Sequence, residues 1–295
     1  MSWWKELKGK VKFKEPLQKH TTFRIGGPVK FFIEPEDLND LKQALILLRR
    51  QKIPVFIIGA GSNLLIADRG LNGAVLKLGA PYFKKMVFEG NNLKVGAGAN
   101  LNAVVRICAK RGLSGAEFLI GIPGTVGGAL AINAGQAKEG YSIGNLVEEV
   151  TVIDHNGSIK QIDKKDIKFG YRSSGLSGYI ILSARLKLAR QDKKEITRTM
   201  NKYIAYRKES QDYLGASAGC IFKNPHRAPA GRLIDLCGLK GKRVAGARVS
   251  LKHANFIING GNAKAADVLR LMNIIKKKVK NKFNVNLKPE IKIWQ

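Results

Sequence analysis

Three stretches of this 295-residue chain combine residue types that could do chemistry. The first, Gly59-Ala60-Gly61-Ser62-Asn63-Leu64, follows the apolar run Val55–Ile58. Its glycines let the backbone approach a ligand, and successive N–H groups with Ser62 and Asn63 can donate to phosphate oxygens. The closing glycine of a G-x-G-x-x-G fingerprint is missing, and no G-K-[ST] occurs anywhere, so dinucleotide-loop and P-loop readings both fail. A plain tight turn after a strand competes with the phosphate reading.

The second stretch is Gly121-Ile122-Pro123-Gly124-Thr125-Val126-Gly127-Gly128, continuing to Asn133-Ala134-Gly135. Glycines threaded through apolar sequence suit backbone that packs against a flat or extended ligand and lines a pyrophosphate with N–H groups. The third, Gly215 to Pro225, gathers small residues around a nucleophile-type side chain, Cys220, with a cation (Lys223) and an amide (Asn224) beside it.

Other chemistry is not indicated. Cys108, Cys220 and Cys237 are an odd, widely spaced set without C-x-x-C, which argues against a disulfide framework or a cysteine zinc site. His20, His155, His226 and His253 are scattered without ligand spacing, so no metal is expected.

The elements that must position these residues belong to an ordinary globular chain, 44% hydrophobic and 25% charged. No apolar run is long enough to span a membrane, and no secretory signal opens the chain, so a cytoplasmic protein without membrane insertion is expected. Fifty-two basic residues against 22 acidic ones give a formal charge of +30. That balance welcomes polyanions. The excess is dispersed lysine rather than clustered arginine among stacking aromatics, which disfavours a nucleic-acid-binding protein.

Apolar spacing predicts a helix from Glu36 to Gln51 and a second one capped by Asn100 and stopped by Gly112. A hairpin is expected from Val150 to Ile162 around Asn156-Gly157, and a strand from Ile180 to Leu188. A helix from about Lys194 to Lys208 follows a domain junction at Asp192-Lys193, and Asn262 is expected to cap a last long helix. The class is α+β, in at least two domains.

Taken in order, the motifs resemble a known family. They are His20-Thr-Thr-Phe-Arg-Ile-Gly-Gly27, the Gly59–Leu64 loop, Gly121–Gly128 with Asn133-Ala-Gly135, and Phe169-Gly-Tyr171-Arg172-Ser-Ser174. Gly219–Pro225, Gly238-Leu-Lys-Gly241, Val249–Asn259 and Lys288-Pro-Glu290 complete the series. Together they closely resemble UDP-N-acetylenolpyruvoylglucosamine reductases, the flavoenzymes that make UDP-N-acetylmuramate for peptidoglycan. The direct run from Ser174 to Tyr179 is similar to the shorter class, without an inserted tyrosine loop.

The resemblance implies a two-lobed FAD-binding domain of the vanillyl-alcohol-oxidase (PCMH) type over residues 20–190, with lobes of about 20–80 and 81–190. A C-terminal α+β substrate-binding domain over 191–295 is implied to follow. FAD is expected between the lobes, its pyrophosphate on Gly59–Leu64 and its flavin lined by Gly121–Gly128. NADPH is the implied reductant, and a UDP-sugar enolpyruvyl ether the implied substrate, handled by a monomer. Arg172 and Glu290 are implied to stabilise charge on that substrate, Cys220 to donate a proton, and Tyr171, Lys223 and Asn224 to contact it. Cys220 stands where the family more often has serine. An oxygen-using flavoenzyme of the same superfamily is the nearest competing reading; it has no call for Gly219–Pro225 or Lys288-Pro-Glu290.

Overall fold

The computed structural model describes residues 2–136, 139–212, 215–226 and 228–295. It divides into two compact units that interleave along the chain. The first comprises Met1–Phe13, Phe31–Gly59 and Gly73–Tyr206; the second comprises Lys14–Lys30, Ala60–Asn72 and Arg207–Gln295. Sequential boundaries near residues 80 and 190 are thus not where the contacts divide the chain. Asp192 lies within the first unit, where its carboxylate accepts from the backbone N–H groups of Lys194 and Glu195, starting the Lys193–Ser210 helix.

The first unit is built on a five-stranded antiparallel sheet, in the order Ile159–Asp163, Val147–Ile153, Ile180–Lys187, Asn92–Gly96 and Met86–Glu89. The expected hairpin joins the first two strands. Its loop differs in kind: Gly157 alone is left-handed, and its N–H returns to the Asp154 carbonyl at 3.0 Å. That is a three-residue turn closed by glycine rather than a two-residue Asn-Gly turn.

Both expected helices form here. Leu38–Arg50 buries Leu41, Ala44, Leu45 and Leu48 and is capped by Asp37, which accepts from Asp40 N–H at 2.9 Å. Leu101–Lys110 buries Leu101, Val104, Val105 and Cys108, with Asn100 accepting from Ala103 N–H at 3.0 Å. The Val55–Ile58 strand is less enclosed than its composition suggests, only Ile58 being fully buried.

The amino-terminal residues are part of this core. Trp3 is only 8% exposed and meets Phe31 edge-on at 5.1 Å, while Trp4 meets Phe13 at the same separation. The buried Asp40 carboxylate accepts from the N–H groups of Lys8, Gly9 and Glu36, each at 2.9 Å. The segment lies outside the motifs, and its packing gives it a structural task. Truncating a buried aromatic costs about 3 kcal/mol. At 2–4 °C per kcal/mol, Trp3→Ala is expected to lower the melting temperature by about 6–12 °C in a thermal scan. An unchanged melting temperature would return the segment to the status of a loose tail.

The second unit has its own apolar core, from Phe23 and Ile25 through Leu65 to Phe222, Leu271 and Ile291. A small antiparallel sheet of Arg243–Val244, Ala247–Val249 and Ile257–Asn259 packs with the Ala230–Leu236 and Ala265–Phe283 helices. Asn262 does not cap the long helix. Asp267 accepts from Lys264 N–H at 3.0 Å, and Asp68, remote in sequence, accepts from Ala265 and Ala266 N–H at 2.7 and 3.2 Å. Near the chain end, Lys292–Trp294 pairs in parallel with Leu64–Ile66, Lys292 opposite Leu64.

Candidate active site

In the first unit, two of the glycine-rich stretches meet. A Cβ at Gly59 would lie 2.5 Å from Thr125 Oγ1, so only glycine lets the end of the Val55–Ile58 strand pass there. Thr125 caps the Val126–Ala131 helix, accepting from Gly128 N–H at 3.2 Å. Gly127 is equally constrained, since a Cβ would fall 2.8 Å from that of Ala97. The segment before the helix is strapped down by Asn102. Its Oδ1 accepts from Gly121 N–H at 2.5 Å and its Nδ2 donates to the Ile122 carbonyl at 3.0 Å. Nothing in the sequence pointed to Asn102, which reads as one more polar residue in a helix's first turn.

Arg172 occupies a tight hairpin turn. Gly170 and Ser173 exchange N–H and C=O bonds at 2.9 and 3.2 Å, with Tyr171 and Arg172 at the corners. Arg172 has φ 53°, a left-handed conformation that glycine adopts freely and arginine holds against roughly 1 kcal/mol. Its Nη1 donates to the Gly135 carbonyl at 3.3 Å, and its guanidinium carbon lies 5.6 Å from the Tyr171 ring centre. Tyr171 is exposed.

The second unit holds the rest of the Gly59–Leu64 loop, from Ala60 onward. Gly61 is left-handed at φ 65°, and a Cβ there would sit 2.0 Å from the His20 carbonyl oxygen. Thr22 N–H donates to the Gly61 carbonyl at 3.3 Å. Asn63 joins this loop to the chain end: its Nδ2 donates to the Glu290 carbonyl at 3.3 Å, and its carbonyl accepts from Lys292 N–H at 2.9 Å.

The segments that carry Cys220 and Glu290 pair through their backbones in the same unit. Glu290 N–H donates to the Ile221 carbonyl at 2.8 Å, and Lys223 N–H to that of Lys288 at 2.9 Å. On its other side the segment is held by Asn255, only 2% exposed. The Asn255 backbone carbonyl accepts from Ile221 N–H at 2.8 Å. Its side-chain amide brackets Phe222, taking that residue's N–H at 3.0 Å and giving to its carbonyl at 2.7 Å. Cys220 and Glu290 are both half-buried, so neither is a solvated tail residue or a sealed core one. Asn224 carries a structural duty as well, its Oδ1 accepting from Ala230 N–H at 3.0 Å. The other two thiols are in different settings. Burial, with the charge of Glu117 adding, pushes Cys108 up to about 12, and burial also raises Cys237.

Comparison with known proteins adds a second line of argument. Residues 29–163 match the model of an FAD binding domain, and residues 209–294 that of the UDP-N-acetylenolpyruvoylglucosamine reductase C-terminal domain. A UDP-N-acetylenolpyruvoylglucosamine reductase of Caldanaerobacter subterraneus is 42% identical over 97% of this chain and 94% of its own. The chain belongs to the UDP-N-acetylenolpyruvoylglucosamine reductase family. Another family member, from Bacillus pumilus, is 39% identical over 97% of this chain and 94% of its own. The crystal structure of the Thermus caldophilus reductase superposes with a TM-score of 0.83 at 38% identity, covering 98% of this chain and all of that one. The fold is accordingly an FAD-binding domain of the vanillyl-alcohol-oxidase type with the reductase family's C-terminal domain, and the protein is a flavin-dependent oxidoreductase.

The residues present fit an FAD. In the first unit, the backbone N–H groups of Gly124 and Thr125 have no hydrogen-bond acceptor among the described residues; in the second, the same holds for Ala60, Gly61 and Asn63. Backbone donors left over in glycine-rich turns are the donor type a pyrophosphate takes. Asn102 then matters to the cofactor through the shape of Gly121–Thr125. Removing its amide strands a peptide N–H and a C=O, at about 1–3 kcal/mol. Asn102→Ala is expected to weaken FAD binding about tenfold, one decade being about 1.4 kcal/mol, in a fluorescence titration of the apoprotein. Unchanged affinity would separate the Gly121 segment from the cofactor.

Proposed function

We propose that this reductase uses NADPH to reduce the enolpyruvyl ether of UDP-N-acetylglucosamine to UDP-N-acetylmuramate, a step of peptidoglycan synthesis. The observation that supports the residue roles is the backbone pairing of Ile221, the neighbour of Cys220, with Glu290. It puts a thiol and a carboxyl group on adjoining segments, the two groups that protonating a substrate carbon beside a developing anion calls for.

Bound FAD supplies the hydride that a protein side chain cannot deliver. Around it the chain provides binding, charge and a proton. Gly59, Ala60, Gly61, Ser62, Asn63 and Leu64 hold phosphate oxygens, and Gly121, Ile122, Pro123, Gly124, Thr125, Gly127 and Gly128 line the ring system. Arg172 receives the substrate carboxylate in its planar fork, where enolate charge builds as the double bond is reduced. Glu290 stabilises the same charge in its protonated form, since only a carboxylic acid can donate to an anion. The Cys220 thiol gives its proton to the ether-bearing carbon. Tyr171, Lys223 and Asn224 contact the UDP-sugar.

The working unit in this reading is a monomer. Nucleotide substrates of this kind place the reaction in the cytoplasm; among the described residues, no helix is long and apolar enough to cross a membrane. The surplus of positive charge has an evident use, because FAD, NADPH and the UDP-sugar are all polyanions.

The test is anaerobic. NADPH is expected to bleach the flavin absorption of the purified protein, and the enolpyruvyl substrate to restore it, with UDP-N-acetylmuramate as product. A flavin that NADPH leaves oxidised would exclude this reductant. A reduced flavin reoxidised by oxygen and a simple sugar alcohol's oxidation, with the enolpyruvyl compound inert, would overturn the substrate assignment.

A further inference from the structure

Asn133 has no task in the reading above, yet it is only 7% exposed and has a left-handed backbone, φ 47°. It lies between the Val126–Ala131 helix and the short Gly135–Gln136 strand. Its amide is used at both ends. Oδ1 accepts from Gly144 N–H at 3.0 Å, and Nδ2 donates to the Gly170 carbonyl at 3.0 Å.

Gly170 opens the turn that carries Arg172. Two neighbours of Asn133 hold other parts of that turn. The Ala131 carbonyl accepts from Ser174 Oγ at 3.0 Å, and the Gly135 carbonyl from Arg172 Nη1 at 3.3 Å. A non-glycine residue persists in left-handed backbone only where its surroundings over-determine it. Here the surroundings are a five-residue stretch, Ala131 to Gly135, which grips the turn at its start, at its exit and at the guanidinium. The bond at the start is the one to which the Ala131–Gly135 stretch itself contributes a side chain, so it can be removed by substituting that stretch and leaving Arg172 and its turn unchanged.

We propose that Asn133 is a positioning residue for Arg172. By bonding Gly170 it fixes the left-handed turn that presents the guanidinium, and so governs reduction of the enolpyruvyl substrate without contacting it. This rests on the assignment of Arg172 to the substrate carboxylate.

The experiment uses holoenzyme whose flavin has been reduced with dithionite, mixed anaerobically with the enolpyruvyl substrate. Asn133→Asp keeps the acceptor for Gly144 and loses the donor to Gly170. Asn133→Gly loses both bonds but accepts φ 47° without strain, which protects the fold. Both are expected to slow flavin reoxidation about 10–100-fold, the scale on which a misplacement of about 1 Å acts. Flavin content and the rate of flavin reduction by NADPH are expected to stay at parental values. In an Arg172→Ala background neither substitution is expected to add a further loss, a non-additivity that general destabilisation would not produce.

Parental reoxidation rates in both variants, an equal extra loss in the Arg172→Ala background, or flavin loss in both would overturn the proposal. Failure of the underlying assignment is seen elsewhere: Arg172→Ala alone would then reoxidise at the parental rate.

Discussion

Cys220→Ala is expected to slow reoxidation of the reduced flavin by the enolpyruvyl substrate about 10²–10⁴-fold, the usual worth of a positioned acid. Cys220→Ser is expected to stay active, because a hydroxyl in the same place still carries a proton to the substrate carbon. An ordinary thiol, with a pKa of about 8.5, is the stronger acid of the two and remains mostly protonated at neutral pH. The backbone around position 220 makes the alanine variant informative. Its segment is held by backbone hydrogen bonds between Ile221 and both Glu290 and Asn255, and by the Asn255 amide on Phe222. The serine variant, which keeps a polar group at the position, separates loss of the proton donor from any loss of side-chain contact. Stopped-flow measurement of the two half-reactions separates the effects, with NADPH bleaching both variants at the parental rate. If the alanine variant reoxidised as fast as the parent, Cys220 would be a small half-buried side chain and nothing more.

Arg172→Gly is expected to lose activity without losing stability. Removing a charge-stabilising group from the site costs about 3 kcal/mol of transition-state stabilisation, or 10²–10³ in the rate of substrate reduction. At φ 53° the same change relieves the backbone, whereas Arg172→Ala keeps the left-handed strain and loses the guanidinium. The glycine variant is therefore expected to melt about 2–4 °C above the alanine variant, from a difference of roughly 1 kcal/mol, while both show the same kinetic defect. A thermal scan beside single-turnover kinetics checks this. A glycine variant less stable than the alanine one would mean that the turn is held by something other than the φ angle. A functional residue in a conformation that disfavours it is the pattern expected where position matters more than stability.

Much of the candidate site could be read from residue types. The glycine stretches at 59–64 and 121–128 announce themselves because only glycine tolerates the close approaches made at Gly59, Gly61 and Gly127. The resemblance of the ordered motifs to the reductase family named Arg172, Cys220 and Glu290 before any of them had a neighbour. The residues that hold those groups in place were harder to see. Asn102, Asn133 and Asn255 each accept from one backbone N–H and donate to one backbone C=O outside their own element, a use that residue type alone does not announce.

The same division applies to the fold. Local physics was enough for the Leu38–Arg50 and Leu101–Lys110 helices, where a cap and an apolar stripe agree. It was enough for the Val147–Ile153 and Ile159–Asp163 hairpin, whose glycine closes a short loop. It could not find the cap on the Ala265–Phe283 helix, because that carboxylate comes from Asp68. Nor could it allot Ala60–Asn72 to the unit built mainly from the last 89 residues, Arg207–Gln295. That allotment follows the parallel pairing of Leu64–Ile66 with Lys292–Trp294. Ladder bonds between backbone groups carry no residue signature. Apolar spacing and caps therefore determined which short elements form, and the ordered motifs, through their resemblance to the reductase family, which residues are candidates for the chemistry. Only the tertiary structure decided which elements share a core, since that depends on contacts between residues more than two hundred positions apart.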